Sequence, residues 1–223
     1  MRPNSNLAPS LHLKNREEKK GVFMKSASFK AIVTLLVVVG VASTMMSCSS
    51  GTPTDTPGVE RLGQYILKQF GPELWTVLGY RFANSQLGEE WMIIEVGFSS
   101  PNGQTATVKR ENVFLRTPAG DTIQLASQKE FNEAYGALRP VIAKANVDRD
   151  PLDYFPPSRI ECAVQFYVSP GGGVSFDEVT VNDRRGCYGR LFINVPGGIQ
   201  SGRWTLGIDL EESEIRIPFE LGD

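Results

Sequence analysis

Apolar and polar residues alternate along much of the chain from Trp75 onward. Every second residue is apolar in four runs, which are 92–98, 160–168, 204–210 and 215–221. A period of two is typical of strands that bury one face of an antiparallel sheet. Turn signals rich in glycine and proline separate these runs. The pattern therefore predicts a protein made mainly of strands.

Ten short segments have this character and predict strands: 75–83, 90–99, 105–110, 112–117, 121–126, 159–168, 173–182, 187–195, 203–210 and 214–221. Many short strands at even spacing indicate an all-β antiparallel sandwich. Pro218 has no amide hydrogen, so the last strand is predicted at an edge of its sheet or at a bulge.

This strand pattern resembles that of the immunoglobulin-like domains of small bacterial surface lipoproteins, from residue 75 to residue 223. The Cys…Trp…Cys spacing of antibody domains is missing. The resemblance implies a single Ig-like β-sandwich domain, 59–223, and it implies architecture only, because one fold serves many functions.

A short helix is predicted before the strands, at 57–70. Its apolar positions Val59, Leu62, Ile66 and Phe70 share one helical face. Proline in the first turn and a Gly-Pro pair after the last residue are typical helix boundaries.

A second helix is predicted within an insertion, 127–158, that interrupts the strands. Ser127 and Glu130 have the spacing of a capping box. A helical stripe follows at Phe131, Tyr135 and Leu138. Pro140 is expected to end or kink this helix. Two interpretations remain, a helix that covers one open end of the sandwich or a binding loop.

The N-terminal region has the layout of a secretory signal peptide. An uncharged apolar run, 31–42, follows Lys25 and Lys30. A membrane helix needs about 20 predominantly apolar residues, whereas a short apolar region after basic residues is typical of a signal peptide. Met24 begins a complete signal peptide, 24–47, so residues 1–23 are predicted to be an untranslated or dispensable extension.

The end of this segment resembles the lipobox of bacterial lipoproteins. The matching residues are Met45, Met46, Ser47 and Cys48. The resemblance implies cleavage before Cys48, lipidation of its thiol, and anchoring of the domain to the cell envelope, at the outer membrane if the bacterium has two membranes. The alternative is an uncleaved anchor helix with an incidental cysteine. Residues 48–58 are small and polar and predict a flexible tether.

The charge distribution and the histidine content argue against two classes of function, nucleic-acid binding and histidine-based chemistry. Residues 1–47 carry seven Lys/Arg and two Asp/Glu, which leaves 16 Lys/Arg and 23 Asp/Glu, a net charge of −7, for residues 48–223. An acidic body argues against a nucleic-acid partner. The single histidine, His12, precedes the predicted cleavage site. The mature protein would therefore lack histidine-based catalysis and histidine metal ligands.

The two remaining cysteines, Cys162 and Cys187, both fall on the inward face of their predicted strands. In an oxidising compartment they are expected to form a disulfide across neighbouring strands, with two buried free thiols as the alternative.

The insertion carries the candidate binding residues, which are Tyr135, Asp148, Asp150, Asp153, Tyr154 and Phe155. Clustered aspartates suit calcium, but the glycine and terminal glutamate of an EF-hand are missing, so a solvated acidic turn is the preferred interpretation and no metal or other cofactor is predicted. Exposed aromatic rings, with Tyr167 among them, would stack on a sugar or a protein, although packing explains them equally well.

Together these features predict a lipid-anchored envelope protein that is not an enzyme and serves binding or assembly, with the membrane and an envelope protein or glycan as partners. The alternative is an extracytoplasmic hydrolase that acts on polysaccharide with carboxylates alone.

Overall fold

The computed structural model of the chain describes residues 51–156 and 160–222. The predicted extension 1–23, the predicted signal peptide 24–47 and Cys48 lie outside the described residues. Within the described ranges, no helix is both long enough and apolar enough to cross a membrane.

The described residues form thirteen strands, two α-helices and a 3-10 turn. The strands are β1 (Thr52–Pro53), β2 (Val59–Gly63), β3 (Ile66–Phe70), β4 (Trp75–Gly79), β5 (Trp91–Ser99), β6 (Thr105–Lys109), β7 (Val113–Arg116), β8 (Thr122–Gln124), β9 (Ile160–Ala163), β10 (Glu178–Asn182), β11 (Arg185–Asn194), β12 (Gly202–Asp209) and β13 (Glu214–Leu221). The helices are α1 (Arg81–Asn84) and α2 (Gln128–Val147), and the 3-10 turn, η1, is Arg110–Asn112.

Two sheets contain these strands, and the predicted all-β class is confirmed. The larger sheet has nine strands in the order β1-β2-β3-β4-β5-β11-β10-β6, with β9 paired to β11. The smaller sheet has the order β13-β12-β7-β8. Strand pairs are antiparallel apart from β9 and β11, which run parallel. Pro218 lies in the edge strand β13, as predicted.

The main core lies between the two sheets. On β5 the predicted inward residues Met92, Ile94, Val96 and Phe98 are all 0% exposed, and they pack with residues of β12 and β13. Three predicted strands are shorter than expected: 75–83 gives way to α1, while 159–168 and 173–182 are strands only at Ile160–Ala163 and Glu178–Asn182. Alternation therefore located most inward faces, but Ile160, which it placed on an inward face, is 69% exposed. It located the strand ends less well.

The outer face of the nine-stranded sheet is also covered. Helix α2 places Phe131 and Leu138 against Ile93 of β5 and Phe192 of β11. Beside it, Phe155 packs on Ile66 and Val77 in a further apolar cluster. The central strands are therefore buried on both faces, and the expectation of strands buried on one side only is wrong for them.

The predicted helix at 57–70 is wrong, because these residues form the hairpin of β2 and β3. Val59 pairs with Gln69 and Glu60 with Lys68. In β3 the consecutive residues Ile66 and Leu67 are both buried, on opposite faces of the sheet. A strand that is covered on both faces has apolar residues at consecutive positions and no longer alternates. The spacing of the apolar residues at 57–70 therefore resembled that of a helix.

The predicted tether, 48–58, is wrong for residues 52–58. Strand β1 pairs with β2 through Thr52 opposite Arg61. The amide of Thr54 donates to the carbonyl oxygen of Val59, and Asp55 forms an ion pair of 3.0 Å with Arg203. Backbone pairing, which the side-chain pattern did not reveal, attaches this polar segment to the domain.

Candidate functional site

The predicted insertion is a cover for the nine-stranded sheet. The capping box at the start of α2 is formed, because the Ser127 hydroxyl accepts from the amide of Glu130 and the Glu130 carboxylate accepts from the amide of Ser127. Helix α2 packs on the outer face of the sheet, so the expectation that it covers an open end of the sandwich is wrong. Tyr135 packs against Phe131, with ring centroids 5.6 Å apart.

Pro140 neither ends α2 nor marks the start of a loop, since the helix continues to Val147. Proline removes one hydrogen bond to the carbonyl four residues earlier, which here belongs to Gly136. Gly136 and Pro140 are both exposed. Water can therefore solvate the carbonyl that lacks its helical partner, and the helix tolerates the interruption.

The three candidate aspartates do not converge on one point. Asp148 is the C-cap residue of α2, and Asp150 is buried with its Oδ1 2.9 Å from Nε of Arg81. The hydroxyl of Tyr188 donates to Asp153 at 3.5 Å. In the described ranges no group of three or more His, Cys, Asp or Glu residues could hold a metal ion. Asp150 and Asp153 therefore bind other parts of this chain.

The candidate aromatic residues are packed inside the domain. Phe155 is 6% exposed, and Tyr154 is partly buried in the same cluster. Tyr167 donates its hydroxyl to the carbonyl oxygens of Ala126 and Phe192, and burial raises the pKa of its phenol. The expectation that these rings offer exposed stacking surfaces is wrong for Phe155, whereas Tyr154 and Tyr167 are partly buried.

A buried group of charges lies where the chain leaves α2, and sequence patterns did not indicate it. Glu95 of β5 is 8% exposed in its side chain, and its Oε1 accepts from Nε and Nη2 of Arg190, both at 3.1 Å. Its Oε2 accepts from the amide of Asp150 at 2.8 Å. Arg190 also donates to the carbonyl oxygen of Ala145, in the last turn of α2. This group holds β5, β11 and α2 together.

The next link of the same group is Arg81. Besides the ion pair with the Asp150 carboxylate, the amide of Arg81 donates to Oδ2 of Asp150 at 3.1 Å. The hydrogen bond and the charge of Asp150 raise the pKa of the Arg81 guanidinium above its usual value. Gly79 lies directly beneath, and a Cβ there would be 2.8 Å from the Cβ of Asp150. The segment after α2 can approach the sheet this closely because glycine leaves room for it.

One cleft opens beside these charges. Its volume is 330 Å³, and its lining includes Asn146, Arg149, Gln165, Tyr188 and Arg190. Arg190 is committed to Glu95, Asn146 and Ala145, as described above. Arg149, 67% exposed in its side chain, lies 3.5 Å from Glu95 and still faces solvent. The cleft thus offers a ligand few groups that are not already bound within the domain.

A second cleft, which we call the edge cleft, lies beside β6. It consists of two adjoining cavities of 190 and 560 Å³ that share Glu73, Thr105 and Glu211. Its other lining residues are Pro72, Gln104, Ala106, Thr107, Lys109, Asn112, Leu210, Glu212 and Ser213. These residues come from β6, from the loop before it and the η1 turn after it, from the turn between β3 and β4, and from the turn between β12 and β13.

Glu73 fixes the shape of the edge cleft. Its Oε2 accepts from the hydroxyl of Ser213 at 2.6 Å and from the amide of Glu212 at 3.2 Å. The two turns are thereby held together as one wall opposite β6. Because the residues of this wall are about 140 positions apart in the chain, no local sequence signal could have predicted the cleft.

The predicted disulfide is present. Cys162 of β9 and Cys187 of β11 are direct partners in the parallel pairing of these strands, with Cα atoms 4.3 Å apart. Cys187 is 0% exposed and belongs to the main core. The inward position of both cysteines was the signal that predicted this bond, and the predicted lipidation site, Cys48, lies outside the described residues.

Comparison of the chain with models of protein families, with curated proteins and with solved structures finds no match among any of the three.

Proposed function

We propose that the chain is a lipid-anchored protein of the bacterial cell envelope whose β domain binds another envelope molecule without catalysing a reaction. The observation that carries the proposal is the disulfide between Cys162 and Cys187. Structural disulfides persist in oxidising compartments outside the cytoplasm. The disulfide agrees with a signal peptide at 24–47 that exports the chain and with Cys48 as its lipidated first residue.

The positions of the buried carboxylates favour binding over hydrolysis. Glu95 and Asp150 are ion-paired to arginines, and Glu73 accepts two hydrogen bonds from a neighbouring turn. A glycosidase needs two carboxylates that face its substrate, one as acid and one as base or nucleophile. Carboxylates engaged in this way stabilise the domain, which leaves its clefts as surfaces for recognition.

A carboxylate hydrolase acting on polysaccharide is the second candidate, and one observation favours it. Glu73 and Glu211 both line the 190 Å³ cavity of the edge cleft. Incubation of the purified protein with envelope polysaccharide should release no new reducing ends. Release that is lost in Glu211→Gln would establish hydrolysis and overturn the binding proposal.

The anchoring part of the proposal is tested by Cys48→Ala in the full chain. Wild-type protein should fractionate with membranes and carry a lipid mass on its first residue, because the acyl chains supply the membrane affinity. The Cys48→Ala protein should leave the membrane fraction. Ser49→Ala is the matched control and should stay with membranes. A Cys48→Ala protein that remains membrane-bound would contradict lipid anchoring and would support an uncleaved helix.

The binding part is tested by chemical crosslinking in intact envelopes. The protein should form a crosslinked product of defined mass. Addition of excess purified protein that cannot be crosslinked should reduce the amount of this product by competition. Deletion of 127–158 is unsuitable as a control, because it would uncover Ile93 and Phe192 on the outer face of the sheet. A protein that forms no competable species would contradict a binding or assembly role.

A further inference from the structure

The four strands that end the two sheets, β1, β6, β13 and β8, differ in how far their outward backbone groups are protected from pairing with another strand. Strands β1 and β8 have two and three residues, and such short edges offer little to a pairing strand. The longest edge strand, β13, has its exposed backbone groups largely engaged. The amide of Arg216 donates to Gln69 Oε1 at 2.9 Å, Pro218 has no amide hydrogen, and the amide of Gly222 donates to Asn84 Oδ1 at 2.8 Å.

Strand β6 is the exception among these four edges. It has five residues, and its one strand partner is β10. The amide of Arg110 donates to the carbonyl oxygen of Asp177 at 2.7 Å. In an antiparallel pair, hydrogen-bonded and non-hydrogen-bonded positions alternate. Arg110 lies opposite Asp177 in the same register, so counting back in steps of two makes Val108–Val179 and Ala106–Val181 the next hydrogen-bonded pairs.

It follows that Thr105, Thr107 and Lys109 direct their amide and carbonyl groups away from β10. The hydroxyl groups of Thr107 and Thr180 are 3.2 Å apart, as expected for directly opposed side chains in a non-hydrogen-bonded pair. The described part of the chain supplies no hydrogen-bond partner for the outward backbone groups of these three residues. They form a row of donors and acceptors of the kind that accepts an additional strand.

The edge cleft runs along this row. Thr105, Thr107 and Lys109 line the 190 Å³ cavity, and Thr105 also lines the adjoining cavity of 560 Å³. The larger cavity falls within the volume range of ordinary ligand sites, and the smaller one, which Thr107 and Lys109 line, lies below that range. Space beside β6 is therefore open where an added strand would lie, and the wall that carries Glu73 stands on the far side.

The charges of the cleft indicate what kind of strand would fit. Glu73, Glu211 and Glu212 line it, and Lys109 is the one cation among its lining residues. Complementary charge steers association and discriminates among partners. A segment that carries lysine or arginine is favoured, and an acidic segment is disfavoured.

We propose that an extended, basic segment of a partner protein docks on β6 as an additional strand, within the edge cleft. Main-chain hydrogen bonds to Thr105, Thr107 and Lys109 supply the affinity, as in other strand-addition complexes, and the glutamates of the wall select basic side chains. This inference rests on the proposed binding function and assigns it a surface and a partner chemistry.

The test uses the full-length protein in detergent and three synthetic peptides of about nine residues, long enough to span β6. The first peptide alternates valine with lysine, the second replaces each lysine with glutamate, and the third is the lysine peptide with every backbone amide N-methylated. Fluorescence anisotropy should show the lysine peptide binding with a Kd below about 1 mM and at least about tenfold more tightly than the other two.

Each peptide comparison isolates one part of the proposal. Weaker binding of the N-methylated peptide shows that backbone hydrogen bonds are used, and weaker binding of the glutamate peptide shows that charge is read. Equal binding of the lysine peptide and its N-methylated form would overturn strand addition, and absence of binding at about 1 mM would overturn the proposal as a whole.

Two proline variants test the site on the protein. Thr107→Pro removes an amide that points into the cleft, and it should reduce lysine-peptide affinity at least about tenfold, because proline cannot donate to a ladder. Thr180→Pro is the matched control on β10, whose amide also points away from the β6–β10 ladder, and it should bind as wild type does. Wild-type affinity in a folded Thr107→Pro protein would overturn the site. The peptide series decides the matter if this variant does not fold.

Two further outcomes separate this inference from the proposed function. Wild-type protein could form a homodimer that Thr107→Pro dissociates. This result would show that β6 pairs with a second copy of the chain and would overturn docking of a basic partner segment. The wild-type protein could bind none of the peptides and still form the crosslinked species in envelopes that excess unlabelled protein removes. This result would overturn the docking strand and leave the proposed function standing.

Discussion

At the scale of single residues, Glu95 is the side chain on which the packing of the insertion depends most directly. Its carboxylate accepts from Arg190 and from the amide of Asp150 at the same time. The Arg190 side chain is 14% exposed, so its charge has little access to water. Leaving one partner of a buried pair uncompensated costs far more than losing an exposed pair.

Glu95→Gln is therefore expected to lower the free energy of unfolding by about 3 kcal/mol, because the variant keeps the shape but leaves the buried charge of Arg190 unpaired. Urea denaturation at neutral pH measures the change. Glu133→Gln is the control, since Glu133 forms an exposed pair with Lys129 at 3.9 Å and should cost less than about 0.5 kcal/mol. A loss no larger in Glu95→Gln than in the control would contradict the role of the buried group.

At the scale of elements, the capping box of α2 was predictable because its signal is local. Ser127 and Glu130 are three positions apart, and their hydrogen bonds follow from that spacing alone. The hairpin of β2 and β3 was not predictable, because its apolar residues face two different clusters. The edge cleft depends on contacts between distant turns. Side-chain patterns report what lies nearby in sequence, while covered outer faces and cleft walls depend on the tertiary arrangement.

The capping box should make stability depend on pH. Hydrogen bonds from the Ser127 amide, and then from its hydroxyl, hold the pKa of Glu130 below its usual 4.5. A depressed carboxyl pKa stabilises the folded state above the unfolded-state value, and this contribution is lost as pH falls through the folded-state value. The urea midpoint of wild-type protein should therefore be higher than that of Glu130→Gln at about pH 7, and the difference should shrink progressively as the pH is lowered below about 4.5.

Glu133→Gln, on the same helix, serves as the charge-matched control for that comparison. An unchanged difference between wild-type protein and Glu130→Gln across the acidic range would show that the effect of Glu130 does not arise from its titration.

At the scale of the whole molecule, the disulfide ties β9 to β11 across a separation of 25 residues. Cys162 and Cys187 were predicted to pair from their inward positions, and that prediction is confirmed. The link closes the chain around residues 163–186, which lead from the end of β9 through β10 into β11. A closed loop reduces the conformational freedom of the unfolded chain more than that of the folded domain.

Reduction is expected to lower the free energy of unfolding by about 3 kcal/mol. The measurement is urea denaturation of wild-type protein with and without dithiothreitol. The double variant Cys162→Ala/Cys187→Ala should be about as stable as the reduced protein and should not respond to the reductant. Wild-type stability that is unchanged once both thiols become available for alkylation would contradict this contribution.

If Cys48 is lipidated as proposed, the pairing of β1 with β2 limits how far the domain can stand from a bilayer. Strand β1 begins at Thr52, so few residues separate it from the proposed lipidation site Cys48. Four residues, 48–51, span at most about 14 Å when fully extended. A domain on so short a connection stays at the membrane surface and cannot reach across an envelope. Under the proposed anchoring, a partner would therefore lie at the same membrane surface or extend a segment of its own to meet the domain.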